Sequence, residues 1–228
     1  MDEGFFRFPH TPHLLWLGGT PPRVDKVLSP EEVAEFLGSE VVVEEKVDGA
    51  NVGFSLDVAG DVQVQNRGGY IGRSAHPQFQ PLWPWLDTRR QRLADFLKPN
   101  LILFGEWCFA VHTVRYECLP DWFLGFDVYD CGAGRFWSAP RRDRFLKELD
   151  VFAVPSVAHG RFTVAQLTAL LGASSVGGDL VEGLYIRRDA GEWLAARAKL
   201  VRPDFAQQIT EHWKSRPLER NALAAAVR

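Results

Sequence analysis

The chain has 228 residues, 46% of them hydrophobic and 24% charged, enough for one globular domain, with or without a small appendage, to bury a core of its own. A net charge of -3 excludes a binder that holds nucleic acid by bulk positive charge, so any such contact must come from a local patch. The acidic start "MDEGFFRFPH", the lack of an apolar run near about 18 residues, and three cysteines (Cys108, Cys118, Cys131) without a C-x-x-C pair speak against a signal peptide, a membrane span, a disulfide framework and a zinc ribbon, and predict a soluble, cytoplasmic protein.

Residues 5–28, with several prolines and the pair Gly18-Gly19, predict an extended lead-in lying on the surface. "SPEEVAEFLG" predicts a short helix, with Ser29 as N-cap, Pro30 at the first helical position and Gly38 past the end. "EVVVEEKV", "NVGFSLDV" and "DVQVQNR" are strand-like and separated by Asp48-Gly49 and Ala59-Gly60-Asp61, which predicts an antiparallel meander. A helix is predicted at least over Trp85 to Leu97, where Leu86, Leu93, Phe96 and Leu97 approximate one face. "NLILFGEWCF" and "WFLGFDVYD" predict strands, "APRRDRFLKELD" and "TVAQLTALLG" helices, and "LVEGLYIRR" and "RAKLVR" strands, with "PDFAQQITEHWKS" as a closing helix. Together these predict one α+β domain over residues 1–228, built on antiparallel sheet, with a lead-in over 1–40, a C-terminal helix within 203–228 and no separate OB-fold or C-terminal domain.

Lys46 stands where an apolar strand runs into a turn. A lysine amine acts as a nucleophile only after losing its proton, which a desolvated site or a nearby cation favours. From these residues alone two readings stay open: a nucleophile carried into a pocket, or a hairpin lysine beside Glu44 and Glu45.

"EKVDGAN" resembles motif I of the covalent nucleotidyltransferases, the superfamily of polynucleotide ligases and capping enzymes in which the lysine carries the nucleotide. "LFGEW" (103–107) is similar to motif III, "FLGFDVYD" (123–130) to motif IIIa, "VEGLYIRR" (181–188) to motif IV and "AKLVR" (198–202) to motif V, all in the superfamily's order and on predicted strands or strand ends. The likeness covers about residues 5 to 215. Asn51 stands where DNA ligases and capping enzymes usually carry arginine, and with Arg67 it resembles the ATP-dependent RNA ligases, the branch typified by the second RNA ligase of phage T4 and the trypanosome editing ligases.

The resemblance implies an ATP-grasp-like adenylation domain of antiparallel sheets with flanking helices, using ATP and Mg2+ or Mn2+ to join RNA 5'-phosphate and 3'-hydroxyl ends through lysyl-AMP and adenylated RNA. It implies Lys46 as nucleophile, Asp48 and Glu182 as metal contacts, and Lys199 on the α-phosphate. Glu106 falls to the ribose, Phe126 to the adenine face and Glu45 to the base edge. Asp127 belongs to the catalytic set, and Asn51 and Arg67 act on the RNA end.

Two departures stand out. Val201 occupies the position of the second lysine of motif V, and Arg202 faces the other way on a strand. Only a short tail follows Arg202, so RNA is held by this domain or with a partner protein. Arg67, Arg73, Arg89, Arg90, Arg92 and the "APRRDRF" run are the basic candidates, and the two helical groups also read as solvated faces. The histidines lack metal-ligand spacing and read as structural or surface residues. A DNA-nick ligase, a capping enzyme and a nucleic-acid-binding module without sealing activity remain the alternatives.

Overall fold

The computed structural model describes residues 5–19, 26–178, 180–208 and 217–225. Helix α1 (Pro30–Leu37) begins as its sequence predicts. The Ser29 hydroxyl accepts from the Glu32 amide and the Glu32 carboxylate accepts from the Ser29 amide, so two donors that a helix start leaves open are satisfied reciprocally. Strands β1 (Val41–Lys46), β2 (Ala50–Leu56) and β3 (Val62–Gln65) follow, then α2 (Leu82–Asp87) and α3 (Arg90–Phe96). Next come β4 (Leu101–Trp107), β5 (Phe123–Asp130), the short β6 (Arg135–Phe136) and α4 (Ala139–Leu149). The chain continues through β7 (Ser156–Gly160), α5 (Val164–Ala169), β8 (Gly183–Ala190), β9 (Trp193–Val201) and α6 (Pro203–Gln208). The closing helix predicted beyond Gln208 lies outside the described residues. No helix among the described residues is long and apolar enough to cross a membrane.

The strands form two sheets, ordered β7-β1-β8-β9 and β3-β2-β4-β5-β6, with antiparallel pairing throughout. The predicted three-strand meander is therefore corrected. β2 and β3 pair as expected, but β1 belongs to the other sheet, and Asp48-Gly49 carries the chain between sheets rather than turning a hairpin. The cause is local: Val47 is buried, and Gly49 lies so close to β4 that an added Cβ would sit 2.7 Å from the Trp107 carbonyl oxygen.

The predicted helix over Trp85–Leu97 is broken into α2 and α3 at Thr88-Arg89. The Thr88 hydroxyl donates to the Trp85 carbonyl at 2.9 Å and competes with the helix ladder. The Arg89 guanidinium turns back over the Trp85 ring, 4.5 Å away, to pair with Asp121 at 2.8 Å. Strand β7 had no signal, because its residues are mostly exposed and do not alternate. The lead-in is also corrected: Phe8, Thr11, His13 and Leu14 are buried, and Pro12–Leu14 bonds along Lys199 of β9.

Each sheet packs its outer face against helices. Leu14, Phe36, Val43, Leu184, Ile186 and Leu200 form one core with α1 and α5 near β1, β8 and β9. Phe54, Leu86, Trp107, Phe123 and Leu146 belong to the core of the second sheet. Each such side chain, fully buried, contributes roughly 1.5–3 kcal/mol. Between the sheets the contacts turn ionic. Glu44, Asp127, Arg142 and Arg187 are at most 2% exposed. Arg187 donates to Asp127 at 2.5 Å and to the Trp137 carbonyl at 2.8 Å, and Arg142 donates to Glu44 at 2.5 Å. Removing one partner strands a buried charge, so Arg187→Ala is expected to cost about 3–5 kcal/mol, a large share of the roughly 5–15 kcal/mol typical of a domain. Denaturant unfolding measures it, and a loss below about 1 kcal/mol contradicts this assignment of Arg187.

Candidate active site

The face where the two sheets meet encloses a pocket. It is lined by Glu44 to Val47 of β1 and its exit, Glu106 of β4, Phe126 of β5, Tyr185 of β8, Lys199 of β9, Arg67, Val154, and Phe8, His10 and Thr11 from the lead-in. Lys46 ends β1, and its Nζ donates to Glu182 Oε2 at 2.6 Å. Glu182 precedes β8 and is held where β9 comes close, since a Cβ at Gly183 would lie 2.3 Å from the Leu200 carbonyl oxygen. Burial opposes the charge on Lys46, but the carboxylates of Glu182, Glu106 and Asp48 outweigh it and hold the amine above its ordinary range. Desolvation alone therefore does not free this lysine.

The carboxylates bear the complementary strain. Burial pushes Glu106 up to about 8 against the charges of Lys46 and Arg67, and Glu182 up to about 7 against Lys46. Lys199, directly opposite Tyr185 across β8 and β9, is pushed down to about 8 by burial and by the Lys46 charge. His13 beside it falls to about 4, again through burial first and Lys199 second.

For Glu106 the sign of the pH effect is definite. A carboxyl raised from 4.5 to about 8 on folding adds stability that is fully present below pH 4.5 and is lost as pH rises through 8. Glu106→Gln stays neutral and can still accept from the Gly49 amide, 3.2 Å from Oε1 in the native chain. The variant is expected to lie close to the wild type near pH 5 and to be more stable than it at pH 8 by at least about 1 kcal/mol, or roughly 2–4 °C or more in melting temperature. Equal melting differences at both pH values contradict it.

Asp48 Oδ2 accepts from the amides of Thr113, 2.7 Å away, and Val114, 3.0 Å away, while its own amide donates to the Tyr116 hydroxyl at 2.7 Å. Asp48, Glu106 and Glu182 thus offer hard oxygen ligands around one lysine. Among the described residues no three His, Cys, Asp or Glu side chains close into a cage. The donor set fits a cation of the Mg2+ type, which keeps its waters and takes few protein ligands.

Glu45 is buried and already engaged, its carboxylate accepting from the Ser174 hydroxyl at 2.5 Å, the Ser175 amide at 3.0 Å and the Ser175 hydroxyl at 2.9 Å. Phe126 and Asp127 are separated by a bulge: Phe104 pairs with Asp127 and Gly105 with Gly125, which leaves Phe126 as the extra residue. Phe126 lines the pocket with Phe8 and Tyr185. Asp127 does not; it lies a layer behind, fully buried, bonded to Arg187, to Arg197 at 3.1 Å and to the Tyr185 hydroxyl at 3.2 Å. Asn51 faces Glu106 across β2 and β4, and both of its amide atoms are buried without a hydrogen-bond partner.

Residues 39–201 match the family model described as RNA ligase. The chain belongs to the RNA ligase family. Its fold is similar to that of an RNA ligase from Naegleria gruberi. Against that ligase with PPi the identity is 21% and the TM-score 0.63, over 94% of this chain and 64% of the other. Against a variant of it with ATP and Mn the identity is 20% and the TM-score 0.62, over 85% and 58%. A further variant with AMP and Mn gives 19% identity and a TM-score of 0.61, over 90% and 65%. The chain therefore spans about three fifths of the length of the ligase it matches. No curated protein matches it.

For an RNA ligase family member, several pocket residues carried no sequence signal. Phe8, His10 and Thr11 come from the proline-rich lead-in, and Tyr185 alternates with core residues in β8. Of the basic candidates Arg67 reaches the pocket. Arg73 and Arg90 pair with Asp87, Arg89 with Asp121 and Arg144 with Glu192, Arg92 bonds the Glu148 carbonyl, and Arg142 is buried. Val201 packs with Val47 and Phe205, and Arg202 turns to Asp204 at 2.8 Å, so neither side chain stands in for a second motif V lysine. His76 caps the turn Pro77–Phe79, His112 contacts Gln78, and His212 lies outside the described residues.

Proposed function

We propose that the chain is an ATP-dependent RNA ligase joining RNA 5'-phosphate and 3'-hydroxyl ends through a lysyl-AMP intermediate. The observation that carries this is that Lys46, which lines a pocket with Glu106, Phe126 and Lys199, is paired at 2.6 Å with Glu182, in a chain of the RNA ligase family. In the first step Lys46 Nζ attacks the α-phosphorus of ATP, a nitrogen–phosphorus bond forms and pyrophosphate leaves. In the second, an RNA 5'-phosphate oxygen displaces the lysine; in the third, a 3'-hydroxyl displaces AMP. Each is an in-line displacement in which positioning and charge neutralisation supply most of the catalysis.

Glu182 holds the ammonium in line and offers a carboxylate oxygen for its proton. Lys199, partly relieved of its charge cost by a phosphate, contacts the α-phosphate. Glu106 accepts from the ribose hydroxyls, and Phe126 stacks on the adenine ring. Glu45 works from the base edge while anchored to Ser174 and Ser175. Asp127 acts through the Tyr185 hydroxyl and Arg197 from behind the pocket. Asn51 and Arg67 receive the RNA end. Mg2+ or Mn2+ held at Asp48 and Glu182 would neutralise phosphate charge and draw the carboxylates off the ammonium, favouring the free amine.

The described residues form an adenylation domain working in a reducing cytoplasm, in keeping with the free thiols at Cys108, Cys118 and Cys131. RNA is held on the pocket face around Arg67, with a partner protein supplying any further grip. Incubation with each nucleoside triphosphate and a 5'-phosphorylated RNA tests the assignment: transfer of AMP to RNA and sealing are expected with ATP, and sealing of DNA nicks in preference to RNA ends contradicts it.

A further inference from the structure

The two carboxylates that flank Lys46, Glu45 and Asp48, are each held by residues from outside β1. Glu45 is clasped by Ser174 and Ser175, and Asp48 by the amides of Thr113 and Val114 and by the Tyr116 hydroxyl. The two clasps meet on segment 108–119, because the Cys118 amide donates to the Val176 carbonyl at 2.9 Å. That segment contains no helix or extended strand to hold its own shape. Its backbone is instead laced to residues 217–225. Val111 N donates to Glu219 O at 2.9 Å, Asn221 N to Phe109 O at 3.0 Å, Ala222 N to Tyr116 O at 2.9 Å and Ala224 N to Leu119 O at 2.8 Å. Arg115 and Glu219 add an ion pair.

Asn221 is the centre of this lacing. It is 2% exposed, and both ends of its carboxamide are engaged: Oδ1 accepts from the Tyr116 amide at 2.8 Å, and Nδ2 donates to the carbonyls of Cys108 at 2.8 Å and Ala110 at 3.3 Å. One buried side chain thus fixes three backbone groups of the loop that holds Asp48. Apolar or charged residues of similar size cannot supply two donors and an acceptor in this arrangement.

We infer that Asn221 is a positioning residue for nucleotidyl transfer, locking Tyr116 and with it the Thr113 and Val114 amides that aim the Asp48 carboxylate beside Lys46. The inference rests on the ligase assignment, since it gives Asp48 a role in holding the divalent cation. Residues that orient a metal ligand, without touching the metal, typically set its affinity within a factor of about 10–100.

The test compares wild type, Asn221→Ala and Tyr116→Phe, reading lysyl-AMP formation against Mn2+ and ATP concentration, and amide hydrogen exchange in the nucleotide-free protein. Tyr116→Phe keeps the ring and removes only the hydroxyl that receives the Asp48 amide, so it covers the case in which Asn221→Ala fails to fold. Both variants are expected to raise the half-saturating Mn2+ concentration by about 10-fold or more, with KM for ATP within about threefold. Exchange is expected to quicken at Thr113 and Val114 while β2 and β4 keep their protection. An unchanged Mn2+ requirement in an active enzyme overturns the inference, whatever the loss of stability. Should the wild type form no adenylate, the ligase assignment falls, and exchange decides the rest: selective loosening at Thr113 and Val114 supports the lock, and unchanged or uniform exchange overturns it.

Discussion

Glu182→Ala is expected to slow formation of the lysyl-AMP adduct by about 100-fold or more. The carboxylate lies 2.6 Å from Nζ and is almost fully buried, so its loss frees the amine from its line of attack and removes an oxygen from the candidate cation site. The proton argues in the opposite direction. Glu182 helps raise Lys46 above its ordinary range, so removing it lowers that value and favours the free amine at neutral pH. If deprotonation were the whole barrier, the variant would react faster than wild type. The expected loss asserts that positioning and charge neutralisation outweigh the gain in free amine. Lys199→Ala is expected to act in the same direction through the α-phosphate. Single-turnover measurement of AMP transfer decides, and wild-type rates in both variants contradict the site.

Asn51→Ala is expected to leave adenylation within about threefold of wild type while slowing phosphodiester formation by about 10-fold or more. Its amide atoms are buried opposite Glu106 and satisfied by nothing among the described residues, an arrangement that costs stability until a ligand supplies partners. The same variant is therefore expected to be no less stable than wild type. Pre-adenylated enzyme mixed with a nicked RNA duplex separates the steps. Parallel losses in adenylation and sealing contradict a role at the RNA end.

The strands that carry the pocket are legible because their signals are local. Val41 to Val43 and "LILFGEW" are apolar runs of strand length, and the Ser29–Glu32 cap is written in four residues. Lys46, Glu106, Phe126, Glu182 and Lys199 could be picked from motif order and stand close together once the sheets meet. The pairing of strands was less legible. Asp48-Gly49 has the composition of a hairpin turn, but its geometry is set by Trp107 and the Thr113–Val114 amides, far away in the chain. Alternation places Phe126 and Asp127 on opposite faces, yet only a bulge read in three dimensions shows that Phe126 meets the pocket and Asp127 the ion cluster behind it. The break at Thr88 depends on Asp121 holding Arg89. Phe8, His10 and Thr11 become pocket wall because the lead-in bonds along β9, which no periodicity in the lead-in records. Asn221 carries no motif at all; its importance follows from three backbone partners that only the folded chain supplies.

Covalent nucleotidylation of Lys46 is read from intact mass. The purified protein is weighed before and after incubation with ATP and Mg2+ or Mn2+, beside Lys46→Ala. A gain of one AMP in wild type alone is the predicted result. A folded wild type that gains nothing with any nucleotide or metal, or a Lys46→Ala variant that gains the same mass, contradicts it.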